Sequence, residues 1–565
     1  MESNQQISGE PIGTSPSGIA PTRTRNRRIL LVTLSGILLG LAFPPSPFGV
    51  FAFIAFVPFF MLFEEINSYG RAIRTTYAAL LIFNVMTLYW IGGFTHMKDP
   101  FLMIAGVSTV LGHPLFTLFM IPPWIFIKRQ FGHRTAVAAF PFFYVAYEYL
   151  HSLSEYAFPW LLLGNTQSYD LPAIQLASVT GVYGISFWVL VINVLLYFLA
   201  RAFVERGLTW TSPKTMLRIA LILALYLAPK VCGHFMIHPS TIPPGSELRI
   251  AAIQPNIDPF DKWSDEAHTQ IAIHESLSTE ALKTRPDLIL WSETAIPERI
   301  LHPNHLEELA DLHAAVNSYA IPVLTGMVDT RYYPDSAHAP RSSKVSLSGF
   351  WYDDYNSTML LTPGTNQLQK YHKIKLVPYA ERVPYSDVIT FLNVFRWNLG
   401  IGGWGIGKDT TIFSYTDQHG NKISFANLIC YESIFPGFDA EFVRKGAQFL
   451  TVVTNDSWWG NTSGTYQHRQ IAAMRAVENR RWVVQCANGG ISCIVDPYGR
   501  IVAQTPMYRR TILEGDIQPL SSITFYTQHG DWFAEGCLVV SLFFIVAALG
   551  SAFYKRTRLL TAESS

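Results

Sequence analysis

Charge is scarce in this 565-residue chain: 15% of residues are Asp, Glu, Lys or Arg, and the formal net charge is +1. That balance supplies no bulk electrostatic attraction to nucleic acid. Cysteine is scarcer still. There are five (Cys232, Cys430, Cys486, Cys493 and Cys537), with no C-x-x-C spacing, and no H-E-x-x-H motif is present. A metal site is therefore not expected. Cys486 and Cys493 flank the turn signal ANGG, and two unpaired strand residues are expected there. Ionisable residues are also rare within the long apolar runs, where a transport pathway would need them. Glu148, near the end of one run, is the exception, and an interfacial position is its ordinary reading.

What the chain has in quantity is apolar residue, 49% of the total, and it is unevenly placed. Residues 29–235 and 533–554 are dominated by long apolar runs, whereas 246–520 reads as a soluble α/β region. This gives four regions: a disordered tail (1–28), a membrane domain of about seven helices (29–245), an extracytoplasmic catalytic domain (246–520), and a last helix with a tail (521–565). TRTRNRR precedes ILLVTLSGILLGLAF, but PPSPFG follows without a clear cleavage site, so the first run is an uncleaved span. Further spans fall at about 49–64, 75–95, 102–127, 135–152, 177–201, 216–236 and 533–554. Pro58, Pro114 and Pro122 suggest kinked, packed helices. Basic residues gather in alternate connections and in both tails: Arg23 to Arg28, Arg71 and Arg74, Lys128 to Arg134, Arg201 to Arg218, and Lys555 to Arg558. Eight spans with both termini cytoplasmic satisfy that bias and put the soluble domain outside the cytoplasm. YAFPWLLLGNTQ (156–167) is too short to span and suits a re-entrant or interfacial stretch, with Tyr156 and Trp160 as interface anchors.

In the soluble half, apolar strands end on polar residues. LRIAAIQPNI, PDLILWSETAIP, IPVLTGMV, STMLLTP, KISFANLICYE and QFLTVVTNDSWWG all have this habit. HTQIAIHESLSTEAL and TYQHRQIAAMRAVENRR read as helices, the second amphipathic, and a hairpin follows from WVVQCANGG to ISCIVDPYGR. The alternation implies a layered α/β domain whose chemistry gathers at strand ends. Glu293 and Cys430 end two strands, and YHKIKLVPYAERVP supplies Lys373 and Lys375. Taken alone, Cys430 is more often a buried core residue, a strand-end Glu a satisfied surface group, and a loop Lys a solvated one. Together they make a thiol nucleophile, a proton acceptor and an oxyanion stabiliser, a complete set for acyl transfer. GIGGWG (400–405) and GGWGIGKD (402–409) imitate nucleotide loops. The first has no flanking strand and helix, and the second has Asp409 where Ser or Thr should bind magnesium, so no nucleotide is expected.

At LILWSETAIP, YHKIKL and LICYE the chain resembles the nitrilase superfamily, and within it the apolipoprotein N-acyltransferase family. FPWLLLGNTQ, LVPYAERVP, NDSWWG, HRQIAAMRAVENRR and FYTQHGDW extend the likeness over nearly the whole length. The resemblance implies a multi-pass α-helical membrane bundle of about eight spans plus a nitrilase-like α-β-β-α sandwich domain. It implies Glu293 as general base, Lys373 as oxyanion stabiliser and Cys430 as nucleophile, with Glu381, Tyr431, Glu432 and Trp263 supporting them, and no cofactor. It further implies a phospholipid acyl donor, a diacylglyceryl apolipoprotein acceptor, a thioester intermediate, and residence in a bacterial inner membrane with the catalytic domain periplasmic. Ala380 departs from the usual glycine of VPFGE, and residues 332–354 are an insertion. Apolar residues of the 381–405 loop (Phe391, Val394, Phe395, Trp397 and Trp404) are expected either to form a lid or to pack on the domain. The rival readings are a membrane-tethered amidase for a soluble amide and an inactive receptor or transporter.

Overall fold

The structure, a computed structural model, describes residues 21–93, 100–206, 209–239, 241–263, 267–389 and 403–563. Its first half is a helical bundle: α1 (Pro21–Ala42), α2 (Phe56–Phe63), α3 (Tyr69–Leu88), α4 (Pro100–Thr117), α5 (Ile121–Phe131), α6 (His133–Ser152), the short α7 (Leu171–Ile174), α8 (Ala177–Arg206) and α9 (Pro213–Met236). After the soluble half, which holds α10 (Ala267–Ala281), α11 (Leu306–Tyr319), α12 (Pro436–Arg444), α13 (Ser463–Asn479) and α14 (Phe525–His529), the chain returns to the bundle as α15 (Trp532–Glu563).

Helices stand at all eight apolar runs. Among the described residues five segments are long and apolar enough to cross a bilayer: Tyr69–Gly92, Leu102–Phe131, Ala177–Glu205, Pro213–Met236 and Trp532–Ala562. The others differ for visible reasons. α1 starts at Pro21 and spends its first two turns on a basic segment, so residues 21–28, expected in a loose tail, are helical. α2 is short, and α6 is rich in tyrosine and histidine. Pro114 lies inside α4, whereas Pro122 opens α5, where its missing N–H costs nothing.

Basic residues tie one end of the bundle together. Arg27 and Arg28 pair with Glu65, Arg129 donates to the Asn67 carbonyl, Arg201 pairs with Glu64, Arg134 with Glu205, and Lys555 donates to Gln130. The soluble half docks on the opposite end.

That half is a four-layer sandwich. Its strands are β1 (Leu248–Gln254), β2 (Leu288–Leu290), β3 (Val323–Tyr333), β4 (Lys344–Val345), β5 (Trp351–Leu361), β6 (Gln369–His372), β7 (Phe413–Thr416), β8 (Lys422–Ile429), β9 (Leu450–Thr454), β10 (Val483–Ala487), β11 (Cys493–Val495), β12 (Ile501–Gln504) and β13 (Thr511–Ile517). One sheet runs β13-β1-β2-β3-β5-β4 with β6 beside β5, and the other runs β12-β11-β10-β9-β8-β7. Alternation along the strands builds the layers. Leu248, Ile250 and Ala252 of β1 face the second sheet with Leu428 and Val452, while Ala251 and Ile253 face Ile271, Leu277, Leu312 and Val316 of the outer helices α10 and α11. Only the ends of the 332–354 insertion are in the long strands, and between them β4 returns to pair with β5. Those ends lengthen the β3–β5 hairpin, whose register is unbroken from Val323↔Leu361 to Tyr333↔Trp351. Cys486 and Cys493 are free and buried.

α13 corrects the reading of an amphipathic helix, because its polar residues are covered by the bundle. Gln467 Oε1 accepts from the indole N–H groups of Trp160 (2.7 Å) and Trp90 (3.1 Å), and its amide donates to the carbonyls of Pro44 (2.9 Å) and Thr87 (3.2 Å). Glu478 pairs with the buried Arg475 (2.7 Å) and accepts from Val182 N (2.9 Å). That amide is freed by a break in α8 at Gly181 (φ 65°), where a Cβ would lie 2.5 Å from the Tyr526 ring. Trp160 is consequently no interface anchor: it is buried beneath the soluble half. Glu148 is not interfacial either. It is buried in the bundle and accepts from Leu163 N (2.7 Å), holding the 156–167 stretch against α6.

Candidate active site

Three turns converge where the two sheets meet the bundle. The first follows β2. Glu293 and Thr294 (φ 44°) fold tightly over Gly326 of β3, where a Cβ would lie 2.4 Å from Thr294 N, so this close approach requires glycine. The second follows β6, with Lys373 N held by the Asn356 carbonyl (2.9 Å). The third follows β8, where Cys430 adopts a left-handed backbone (φ 52°). A non-glycine residue there is strained and persists only when its surroundings hold it.

Glu432 does the holding. Its completely buried carboxylate accepts from Tyr371 OH (2.6 Å), Ile374 N (2.7 Å), Lys375 N (3.1 Å) and Ile429 N (2.9 Å), so one side chain clamps the cysteine turn to the chain after Lys373. Burial nevertheless raises its pKa to about 7.

The Lys373 side chain is 1% exposed. Its ammonium lies 2.8 Å from Glu381 Oε1 and 3.3 Å from Glu293 Oε1. Burial, which alone would lower its pKa, is outweighed by these two carboxylates, and the net shift is upward, so Lys373 is a fixed cation. Asn356 Nδ2 donates to the same two oxygens, at 2.8 Å to Glu293 and 3.2 Å to Glu381. Glu381 Oε2 in turn accepts from Val377 N (2.8 Å). Burial and the Glu293 charge push the Cys430 thiol up, against the pull of Lys373. A thiol so placed stays protonated at rest, so to serve as a nucleophile it would need a base to take its proton.

Several supporting groups carry no sequence signal. Lys262, buried and lowered to about 8 by burial, donates to the Glu293 carbonyl at 2.5 Å. Asn356 sits on β5 beside the insertion, where a strand asparagine reads as ordinary. A polar relay also runs behind the cysteine. Ser433 Oγ donates to the Cys430 carbonyl (2.8 Å) and contacts His468 Nε2 (2.9 Å), while His468 Nδ1 meets Asp456 Oδ1 (3.1 Å). Asp456 Oδ1 accepts from Thr454 Oγ1 (2.6 Å).

The remaining sequence-predicted residues divide. Tyr431 is buried and donates its hydroxyl to the Ala157 carbonyl, tying the cysteine turn to the 156–167 stretch. The Trp263 backbone closes the turn Asp261–Trp263. Trp404 is buried, with its backbone N–H on the Glu381 carbonyl (3.0 Å), so it packs on the domain. Phe391, Val394, Phe395 and Trp397 lie outside the described residues. The glycine segment that imitates a nucleotide loop packs on the site's backbone through Gly407 N to the Lys373 carbonyl (2.8 Å).

A strained cysteine beside a buried carboxylate–lysine–carboxylate set, on an α-β-β-α sandwich, defines a nitrilase-superfamily enzyme, here fused to a membrane bundle. The carbon-nitrogen hydrolase family matches residues 249–525, and the apolipoprotein N-acyltransferase N-terminal domain family matches residues 35–195. An apolipoprotein N-acyltransferase of Chlorobaculum tepidum is 34% identical over 94% of this chain and 98% of the relative, and one of Geobacter metallireducens 31% identical over 93% and 95%. The chain belongs to the apolipoprotein N-acyltransferase family. Among solved structures, it aligns with Saccharomyces cerevisiae Nit3 over 48% of this chain and 91% of that one, at 17% identity and a TM-score of 0.34.

Proposed function

We propose that this enzyme transfers the sn-1 acyl chain of a phospholipid to the α-amino group of the S-diacylglyceryl cysteine of an apolipoprotein, in two steps through a thioester on Cys430. In the first step Glu293 takes the thiol proton as the sulfur attacks the ester carbonyl. Lys373 faces the oxyanion, and Glu293 returns the proton to the departing lysophospholipid oxygen. In the second, the acceptor amine attacks the thioester, Glu293 takes its proton, and the amide leaves with the thiol restored. Glu381 and Asn356 hold Lys373 and Glu293 in register, Glu432 holds the cysteine turn, and Tyr431 sets that turn against the bundle.

The observation that carries this reading is the lysine held between two carboxylates beside the strained cysteine, at the end of an apolar bundle where lipid-anchored substrates present their head groups. The collection of basic residues at the far end supports cytoplasmic termini and a periplasmic site in a bacterial inner membrane. The division at 29–245, 246–520 and 521–565 agrees with strands that begin at Leu248 and end at Ile517.

A deciding experiment offers purified enzyme a diacylglyceryl-cysteine peptide in phospholipid–detergent micelles and, separately, soluble aliphatic amides. Acylation of the peptide amine, detected as a mass increase of one acyl chain, is the expected outcome. Hydrolysis of the amides without peptide acylation would replace the reading with a tethered amidase.

A further inference from the structure

A cavity of about 220 Å³ opens beside Tyr431, between the catalytic turns and the 153–157 segment of the membrane half. Its walls are mostly apolar, with Leu153, Leu376, Pro384 and Phe435 among them, and it holds two cations, Lys375 and Arg382. Arg382 is committed: it pairs with Asp387 at 2.5 Å and donates to Ser342 Oγ and the Trp404 carbonyl. The wall carboxylate, Glu155, accepts from Tyr385 N (2.6 Å). Lys375 differs. It is half-buried, and its ammonium sits over the faces of Phe435 (5.2 Å) and Phe438 (5.8 Å) without an ion-pair partner among the described residues. Burial lowers its pKa, with Glu432 and Glu441 opposing only through space. A half-buried cation with aromatic neighbours and no carboxylate in contact is an incomplete arrangement, because desolvation is left unmatched by a counter-charge.

We propose that Lys375 is the phosphate anchor of the acyl donor: its ammonium receives the phosphodiester anion while the glycerol places the sn-1 ester at Cys430. Covalent geometry favours the pairing. The three glycerol carbons fix the phosphate close to the sn-1 ester, so a cation that holds it must lie near the nucleophile. Lys375 satisfies this through its backbone, since its N–H is clamped by the same Glu432 carboxylate that holds the cysteine turn. The apolar walls suit the adjoining glycerol and first methylenes. The anchor recognises the phosphodiester common to glycerophospholipids, so it selects phospholipid over uncharged ester without choosing a head group.

This inference rests on the phospholipid-donor reading, and the test separates the two. Thioester formation on Cys430 is timed for the full-length parent, Lys375→Gln and Lys375→Arg with two donors, dioleoyl phosphatidylglycerol and the phosphate-free p-nitrophenyl palmitate, each over a concentration series. Loss of one charge-assisted hydrogen bond predicts that Lys375→Gln shifts selectivity against the phospholipid by roughly 10- to 100-fold, mainly in KM, with Lys375→Arg recovering part of it. An unchanged selectivity ratio, whether both donors slow equally or neither slows, overturns the anchor. A parent that takes acyl from p-nitrophenyl palmitate but never from phospholipid overturns the donor reading itself.

Discussion

Replacing Glu381 by glutamine removes one charge and almost no volume from the site. In the parent, the shorter contact of Lys373 is to Glu381 (2.8 Å) and the longer to Glu293 (3.3 Å), so Glu381 is what keeps the ammonium from collapsing onto Glu293, the proposed general base. A glutamine oxygen can serve either Val377 N or Lys373, but not both as the two carboxylate oxygens do. The substitution therefore forfeits about one hydrogen bond to a charged group, roughly 1.5–3 kcal/mol. Lys373 then moves toward Glu293, drawing it from the oxyanion and making Glu293 a poorer proton acceptor. Expressed in the transition state, that loss slows thioester formation by roughly 10- to 150-fold at about 1.4 kcal/mol per decade. Single-turnover acylation of Cys430 followed by intact-protein mass is the assay, with Glu381→Asp expected to recover part of the rate. A Glu381→Gln enzyme within two-fold of the parent would refute the positioning argument.

Glu432→Gln offers one acceptor oxygen to four donors, so at least one buried N–H or O–H loses its partner, at a cost of about 1–3 kcal/mol. A thermal melt in detergent is expected to fall for this variant more than for Glu381→Gln. Gln467→Ala leaves the buried Trp160 indole N–H without its acceptor at the junction of the two halves; protease sensitivity of the soluble half should rise while its melting shifts by several degrees. Lys262 binds its proton less readily in the folded state, near pH 8 against 10.5 when free, so its contribution makes stability rise between those values and disfavours folding below pH 8. Lys262→Met should remove that rise from a melting curve measured against pH.

Two members of the candidate site were legible because their chemistry sits where apolar strands stop. Glu293 and Cys430 each follow an apolar strand, whereas Lys373 follows the polar strand β6 and was told from Lys375 only by the family likeness. Glu381 and Glu432 came only with the family likeness, since a glutamate in a loop has no periodicity to betray burial. Asn356 and Lys262 stayed hidden for the same reason: side chains typed as surface residues spend their donors inside the site. The eight helical segments were visible as apolar runs, but strand order was not, because the β1–β13 pairing joins residues at opposite ends of the domain. α13 misled for a physical reason. Its polar face reads as solvated, yet Gln467 and Glu478 spend it on the indoles and freed amides of the bundle. Trp160 was misplaced by the same docking and Glu148 by the folding of 156–167 back onto α6, neither of which a hydropathy pattern can register.

A covalent acyl group on Cys430 is the step on which the proposed reaction turns, and one comparison reaches it directly. Membranes carrying the parent or Cys430→Ala are incubated with acyl-labelled phospholipid, and protein-bound label is challenged with neutral hydroxylamine. Hydroxylamine-labile label is expected on the parent alone, discharged when a diacylglyceryl peptide is added. Equal label on Cys430→Ala, or none on a folded, membrane-inserted parent, would contradict it.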